Sequence, residues 1–203
     1  MNFSQLKQKL FQKSIRKLVE NFFSLSVLQI SNYLIPLVTL PYLTYVLGPE
    51  RFGLTAFAQA ITQYFIMFTD FGFNLSATKA ISINRDDKEK VSQIFLAVYL
   101  IRAVLLLISI AALWIMITWF TQFRDEKVLY LYSFISVVGY VLFPQWFYQG
   151  IERMKFIAIF TLTSRIIFAG LIFVFIKGTT DYLWLPLLYS FGSLASGIVA
   201  FGY

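Results

Sequence analysis

Two arginines, Arg102 and Arg165, lie deep inside long apolar stretches of the sequence. Each lies about ten residues beyond the start of its stretch, so its side chain cannot readily reach either surface of a hydrocarbon layer about 30 Å thick. An arginine at that depth is unfavourable by about 3 to more than 10 kcal/mol, and it therefore needs water, an acidic partner or an anionic ligand. Because guanidinium groups bind phosphate oxygens through paired hydrogen bonds, the two arginines predict a site for phosphate or diphosphate inside a membrane.

A stripe of polar residues accompanies these arginines. Gln59, Gln63, Asp70 and Asn74 recur at spacings of four, seven and four, which place them on one face of a helix. Because polar side chains avoid hydrocarbon, this stripe predicts a hydrated cavity, with Asn32 of the preceding apolar stretch also in its lining. The alternative is hydrogen bonding between helices without a cavity, at about 0.6 kcal/mol per contact.

Asp70 is the one carboxylate of the stripe, and two roles are open to it. It can neutralise one arginine permanently, although one acid cannot neutralise two bases. It can instead carry a coupling proton or sodium ion. In either case we expect no organic cofactor and no metal site.

The elements that position these residues follow from composition and hydropathy. Of 203 residues, 59% are hydrophobic and 13% are charged, which is typical of multi-pass membrane proteins. We expect an all-α polytopic membrane helical bundle, with six transmembrane helices at about residues 22–47, 52–80, 92–120, 128–148, 156–176 and 182–202. Pro36 and Pro41 are expected to bend or break the first helix, and Gly48 with Pro49 to end it.

The basic residues predict orientation in the membrane. Residues 1–21 are predicted to form a basic, amphipathic cytoplasmic segment ahead of the six-helix lobe, residues 22–203; a solvated tail is the alternative. Lysines and arginines number eleven on the side of residues 1–21, 79–90 and 153–155, and four on the other side. The first side, with both termini, is therefore predicted to be cytoplasmic, and we expect no nucleic-acid partner.

The sequence lacks the usual parts of most enzymes. It contains no Cys and no His, which excludes a disulfide, a Cys/His zinc site and a thiol or imidazole catalyst. We therefore expect a protein that is not an enzyme.

An aromatic segment, FPQWFYQGIE at residues 143–152, ends the fourth predicted helix. Its aromatic residues, Trp146 and Tyr148 among them, are predicted to form part of an interfacial belt. Glu152, beside Gln149, is predicted to gate the cytoplasmic end through a salt bridge to a neighbouring basic residue, with a plain surface charge as the alternative.

Four segments together resemble a known family. They are NYLIPLVTLPYL at residues 32–43, VLGPERFG at 46–53, DFGFN at 70–74 and FPQWFYQGIE at 143–152. In these segments the chain resembles the polysaccharide repeat-unit flippases of the Wzx kind, which act on O-antigen or capsule units, within the multidrug, oligosaccharidyl-lipid and polysaccharide exporter superfamily.

The resemblance implies a transporter in the bacterial inner membrane. Such a protein moves a polyprenyl diphosphate-linked oligosaccharide from the cytoplasmic to the outer leaflet by alternating access, alongside the polysaccharide polymerase machinery. Family members have two six-helix lobes around a cationic cavity, so six helices imply that the chain is a truncated half, the N-terminal lobe that a second lobe completes, or that two copies of it associate. Arg102 and Arg165 are then expected to bind the diphosphate, and Asn32, Gln63 and Asn74 to line the path.

Three other functions are compatible with the sequence. A drug or cation antiporter of the same superfamily would depend on Asp70 instead of the arginines. A membrane enzyme of polyprenyl-linked glycan assembly usually has a large extracytoplasmic loop, whereas the loops predicted here reach about a dozen residues. A partner subunit without transport activity is the third, because a fold does not fix a function.

Overall fold

A computed structural model describes the backbone of residues 3–202 and the side chains of residues 19–202. Within this range the chain forms helices and no strand, which confirms the all-α prediction. The amphipathic character of residues 1–21 stays a prediction, because most of their side chains lie outside the described residues. In chain order the helices are α1 (Phe3–Asp70), α2 (Phe73–Ile83), α3 (Lys88–Trp119), α4 (Thr121–Arg124), α5 (Lys127–Leu142), α6 (Gln145–Gly150), α7 (Met154–Phe175), a 3-10 helix (Thr179–Leu183) and α8 (Trp184–Gly202).

Helix α1 is interrupted at Gly48, where φ is 74° and ψ is 165°. Glycine adopts positive φ without steric penalty, and the fixed φ of Pro49 suits the first residue of a new helix. The break divides α1 into a first arm, residues 3–47, and a second arm, residues 49–70. The predicted break at Pro36 or Pro41 is wrong, because the first arm stays helical through both prolines.

Contacts at the two ends of the bundle show how the chain crosses it. Glu126 and Glu152 flank the helical stretch α5–α6, which at about 1.5 Å per residue separates them by roughly 35 Å. The side chain of Asn21 donates to the backbone oxygen of Glu152 (3.4 Å), and Arg85 pairs with the Glu152 carboxylate (2.6 Å). Arg51 instead pairs with Glu126 (2.9 Å). The chain therefore crosses the bundle once between residues 21 and 51 and crosses back before residue 85.

These two crossings reconcile the helices with the six predicted spans. Five stretches of the described chain are long and apolar enough to cross a membrane, and the first, at 65 residues, contains both arms of α1 together with α2. Counting its two crossings, the bundle is traversed six times. The five stretches are Val19–Ile83, Lys88–Trp119, Lys127–Gly150, Met154–Phe175 and Thr179–Gly202.

The second predicted span is not one continuous helix. Phe71 (φ 44°) and Gly72 (φ 81°) have left-handed backbone conformations that separate the second arm of α1 from α2. Positive φ is uncommon for a residue with a side chain, so the neighbouring structure must hold Phe71 in place. The expectation of one uninterrupted helix over residues 52–80 is therefore wrong, and Asp70 and Asn74 lie on opposite sides of the break.

Helices α5 and α8 form the most intimate pair in the bundle. The hydroxyl of Ser190 donates to the backbone oxygen of Tyr132 (2.6 Å), and that of Ser193 to the backbone oxygen of Ser136 (3.1 Å). A Cβ atom at Gly139 would lie 2.5 Å from the carbonyl carbon of Ser193, which means that the two backbones approach through a glycine. Close approach through small residues is the usual way in which membrane helices associate.

Helix α3 packs against the bundle through a narrow seam. Its buried residues are Val98, Arg102, Ser109, Leu113 and Ile117, at intervals of one or two helical turns. Large apolar side chains cover the rest of the helix and are exposed, which suits contact with lipid. Arg102 therefore lies within the seam and not on the lipid-facing surface.

The aromatic segment at residues 143–152 lies inside the protein. Trp146 is fully buried and Tyr148 is 4% exposed, so their assignment to an interfacial belt is wrong. Helix α6 packs on α2, where Gly150 lies against Ile81 and the Thr78 hydroxyl donates to the backbone oxygen of Trp146 (3.1 Å). The segment therefore attaches the end of the α5–α6 stretch to α2.

Replacement of Gly139 by Ala tests the approach of α5 and α8. The new Cβ would meet the Ser193 backbone at 2.5 Å, so we expect the free energy of unfolding to fall by about 1–3 kcal/mol. The matched control is Gly170→Ala in α7, where no atom lies within 4 Å of the added Cβ. Thermal unfolding in detergent micelles measures both, and equal melting temperatures would contradict the proposed packing.

Candidate functional site

Arg102 is held in a buried network on four helices. Its guanidinium Nη2 donates to Asp70 Oδ1 (3.2 Å), at the end of α1, and its Nη1 donates to the backbone oxygen of Val141 (3.4 Å) in α5. The guanidinium carbon also lies 5.2 Å from the ring centroid of Tyr140. The Arg102 side chain is 1% exposed and that of Asp70 is 17% exposed. The two charges therefore compensate each other in the interior of the bundle.

The Asp70 carboxylate is the centre of this network. Its Oδ1 also accepts hydrogen bonds from Asn74 Nδ2 (3.0 Å) in α2 and from the hydroxyl of Tyr140 (3.2 Å) in α5. Asn74 Nδ2 donates to the Tyr140 hydroxyl as well (2.7 Å). We call Asp70, Asn74, Arg102 and Tyr140 the Asp70 network. It joins α1, α2, α3 and α5 next to the left-handed residues 71 and 72.

Two polar atoms of the Asp70 network retain bonding capacity. Arg102 Nε and Asn74 Oδ1 are buried and have no hydrogen-bond partner among the described residues. One is a donor and the other an acceptor, so the network can take up a further small polar group.

Arg165 lies in a different environment. It is on α7, it is exposed in the bundle, and within the described part of the chain it forms no ion pair. Arg165 therefore presents a positive charge near the middle of α7 without an acidic partner among the described residues.

A cavity of about 300 Å³ lies beside Tyr189, and most of the residues around it have neutral polar side chains. We call it the polar cavity. It lies between the second arm of α1, α5 and α8. The lining residues are Gln59, Thr62, Gln63, Ile66, Ser133, Ser136, Pro186, Tyr189 and Ser190.

The predicted site residues thus fall into separate groups. Arg102, Asp70 and Asn74 share the Asp70 network, Gln63 lies in the polar cavity, and Arg165 lies on α7, outside the lining of that cavity. In this conformation Arg102 is sealed by Asp70, the outcome in which the acid neutralises one arginine. The role of each residue toward a ligand stays a prediction.

Asn32 lies in neither group. Its Nδ2 donates to Gln29 Oε1 (3.4 Å), and Gln29 donates in turn to the hydroxyl of Tyr33 (3.2 Å). These contacts run along the first arm of α1. The role of Asn32 in lining a substrate path stays a prediction.

Glu152 and Gln149 lie at the end of the bundle that also contains Arg85. The sequence predicted a salt bridge from Glu152 to a neighbouring basic residue, but Glu152 pairs with Arg85 instead (2.6 Å). Its φ of 58° is unusual for a residue with a side chain. Both side chains of the ion pair are more than 40% exposed, so opening the pair requires little free energy. Gating by Glu152 and Gln149 stays a prediction.

Sequence reasoning missed Tyr140 and Tyr189. Each lies in an apolar helix, where a tyrosine is indistinguishable by pattern from a packing or interfacial aromatic residue. What distinguishes each tyrosine is a partner that is distant in sequence. Tyr140 donates a hydrogen bond to Asp70, and Tyr189 interacts electrostatically with Arg165. In the described residues no group of three or more acidic residues, His or Cys lies together as a metal site would require.

The ion pair in the Asp70 network makes a stability prediction. Asp70→Leu would leave Arg102 buried without a counter-charge, and we expect this to destabilise the protein by about 3–5 kcal/mol. The double substitution Asp70→Leu and Arg102→Leu should restore most of the loss, because two apolar side chains replace the pair together.

The control for this experiment is Arg85→Leu, which removes a solvent-exposed pair and should change stability by about 1 kcal/mol or less. Thermal unfolding of purified protein in micelles reports all four variants against wild type, the fourth being Arg102→Leu. If the double variant is as unstable as the sum of the two single variants, the proposed charge compensation is refuted.

Comparison with known proteins gives the family. A family model described as polysaccharide biosynthesis protein matches residues 18–203. A relative from Escherichia coli (strain K12), named "Putative O-antigen transporter", is 39% identical over 181 residues, and a relative of the same name from Shigella dysenteriae is 27% identical over 183 residues. Each alignment covers 89% of this chain.

The chain spans 43% and 45% of the lengths of these two relatives. No solved structure matches the chain significantly. The family match covers almost the whole chain, and it confirms the resemblance that the four sequence segments indicated. The chain belongs to the polysaccharide biosynthesis protein family.

Proposed function

We propose that this chain is one lobe of a flippase that translocates a polyprenyl diphosphate-linked oligosaccharide across the bacterial inner membrane. One observation carries the proposal: Arg165 lies near the middle of α7, in a multi-pass membrane protein, without an acidic partner among the described residues. Two relatives named as O-antigen transporters support the same substrate class. Since this chain spans 43% and 45% of those relatives, we propose that transport uses a second lobe or a second copy of this one.

In this proposal Arg165 binds the diphosphate. Diphosphate carries several negative oxygens, and a guanidinium in a poorly hydrated site binds them more strongly than it would in water. Gln63 in the polar cavity and Asn32 on the first arm of α1 line the path of the glycan. Arg102 joins the diphosphate only in a conformation in which its ion pair with Asp70 has opened, because a buried arginine needs an anion at all times.

Asp70 is the coupling group of the proposal. Protonation of Asp70, or sodium binding to it, removes the counter-charge of Arg102, which must then move or find another anion. The substrate diphosphate is such an anion, so ion binding and substrate binding are linked through one arginine. Alternating access and the absence of any other cofactor belong to the same proposal.

The cytoplasmic side is the end that contains Asn21, Arg85 and Glu152. It holds the larger share of lysines and arginines, which favours a cytoplasmic location. The pair Arg85–Glu152 together with Gln149 then lies where a cytoplasmic gate would be, and the polymerase machinery would act on the product at the opposite face.

Among the alternatives, the cation antiporter has the weakest support. A cationic drug would meet the positive charge of Arg165, which has no acidic partner among the described residues. A membrane enzyme of glycan assembly is also less favoured, because the relatives are named transporters and not enzymes. We therefore infer a transporter without catalytic activity.

Replacement of Arg165 tests the diphosphate site in the complete gene product. We expect Arg165→Ala to lower the export of surface glycan by about tenfold to a hundredfold at unchanged protein level, because a charged hydrogen bond to the substrate is lost. Arg165→Lys should retain part of the export, since lysine keeps the charge but lacks the paired geometry. Arg124→Ala, an exposed arginine on α4, is the control and should export normally. Wild-type export by Arg165→Ala would reject the assignment.

The coupling role of Asp70 is tested with Asp70→Asn in proteoliposomes. The amide keeps hydrogen-bonding capacity toward Asn74 and Tyr140 but has no charge to titrate. We expect wild-type translocation of a fluorescent polyprenyl diphosphate glycan to slow when the proton or sodium gradient is dissipated. The variant should still translocate the glycan, which shows that it is folded, but at a rate that neither gradient changes. A variant that still responds to the gradient would exclude Asp70 as the coupling group.

A further inference from the structure

A second cavity, of about 340 Å³, lies at the end of the bundle that contains Arg85 and Glu152. Its walls come from the turn after α2, the first turns of α3, α6 and the end of α8. Among the described residues it shares no lining residue with the polar cavity or the Asp70 network, and Arg165 is not in its wall. Arg85 and Lys88 line it and none of its described lining residues is acidic, so we call it the basic pocket.

The two cations of the basic pocket are available to an anion. Lys88 forms no ion pair with the acidic side chains that the structure describes. Arg85 pairs with Glu152, but its side chain is 46% exposed, and a guanidinium has five N–H donors, more than one carboxylate uses. The nearby Asp87 is engaged elsewhere, because it accepts from the backbone N–H of Lys90 (3.1 Å) and pairs with the Lys90 ammonium (3.6 Å). The pocket therefore has one unpaired cation and one that is only partly engaged.

The rest of the basic pocket is mainly apolar. Phe95, Phe147 and Phe201 lie in its wall, and the ring centroid of Phe95 is 5.3 and 6.3 Å from those of the other two. The hydroxyl of Tyr148 donates to the backbone oxygen of Ala200 (2.7 Å), which ties α6 to α8 at the pocket wall. A small inorganic anion on the two cations would leave this aromatic wall uncovered, whereas a ligand with an apolar part would cover it.

Charge and apolar surface follow each other along α3. Lys88, Ser92 and Phe95 line the pocket at spacings of four and three, so they lie on one face of the helix over about 10 Å. The lysine is the first residue of α3, and the phenylalanine lies two turns further along the helix. Leu96 and Leu100, 59% and 68% exposed, continue the apolar surface one and two turns after Ser92. A membrane lipid has the same order, with its phosphate at the surface and its chain below.

We propose that the basic pocket binds an anionic phospholipid from the leaflet at this end of the bundle. Its phosphate lies on Arg85 and Lys88, and its acyl chain follows Phe95 and the adjoining surface of α3. Basic pockets between membrane helices at the cytoplasmic surface bind anionic lipid headgroups by the same combination of charge and depth. The site is separate from the proposed transport path, so the inference goes beyond the proposed function and does not depend on it.

A phospholipid in the basic pocket competes with Glu152 for Arg85. The Arg85–Glu152 pair is exposed on both sides and therefore weak, so a phosphate can replace the carboxylate. Removal of the Glu152 charge should then strengthen lipid binding, whereas removal of either cation should weaken it. These opposite signs distinguish a specific site from a general loss of structure.

The test measures binding of tail-labelled phosphatidylglycerol to the complete gene product in detergent micelles. The reference is diacylglycerol with the same chains, which lacks the phosphate. We expect wild type to prefer phosphatidylglycerol. Arg85→Gln and Lys88→Gln should each weaken its binding by about fivefold, because each removes one cation near the headgroup. Glu152→Gln should strengthen it by about twofold to fivefold. Diacylglycerol binding and the melting temperature should stay at the wild-type level, which shows that the variants are folded.

The matched control is Lys90→Gln, which removes a cation from the first turn of α3 but not from the pocket lining. Its phosphatidylglycerol binding should stay within about twofold of wild type. Unchanged binding in Arg85→Gln and Lys88→Gln overturns the site, and so does weaker binding in Glu152→Gln or an equal loss in Lys90→Gln.

Two competitors identify the occupant. Unlabelled phosphatidylglycerol should displace the labelled lipid, whereas glycerol phosphate at the same concentration should not. Displacement by glycerol phosphate would make the pocket a site for small anions. Stronger displacement by polyprenyl diphosphate than by phosphatidylglycerol would make it a substrate site, and either result overturns the phospholipid assignment.

Discussion

The structure depends on the buried ion pair between Arg102 and Asp70. Helix α3 meets the bundle through a narrow seam, and Arg102 is the one charged side chain in it. A buried arginine is tolerated only with an anion and satisfied hydrogen bonds, and Asp70, the Val141 carbonyl and the Tyr140 ring together provide them. The break between α1 and α2 follows Asp70 directly, and the bonds from Asn74 to Asp70 and Tyr140 span the two helices. The Asp70 carboxylate therefore holds α3 in place and also lies at the point where the second span breaks.

Two arginines that are equivalent by sequence thus have different physical states. Arg102 is neutralised and almost fully buried, whereas Arg165 is exposed and has no acidic partner among the described residues. An anion that approached Arg102 would have to replace Asp70 as its counter-charge, whereas an anion at Arg165 would displace no acidic side chain.

Much of the fold was predictable because apolar length and glycine geometry are local properties. Hydropathy predicts the helices, and Gly48 predicts the turn between the two arms of α1. The distribution of lysines and arginines predicts that Arg85 lies at the same end of the bundle as Glu152. The break at residues 71 and 72 was not predictable, since Phe71 has no intrinsic preference for positive φ. The same limit applies to Trp146, whose composition suits an interface but whose partner, α2, is distant in sequence.

The candidate site was predicted in its residue types and not in its grouping. The stripe from Gln59 to Asn74 was read as one face of one helix, but the helix ends at Asp70. Asp70 and Asn74 bond each other in the Asp70 network, whereas Gln59 and Gln63 line the polar cavity. Even so, the same two helices build both sites. Gln63 and Asp70 are seven residues apart on the second arm of α1, and Ser136 and Tyr140 are four apart on α5, so each helix contributes to the polar cavity and to the Asp70 network. If either helix moves as a rigid body when the charge at Asp70 changes, the wall of the polar cavity moves with it.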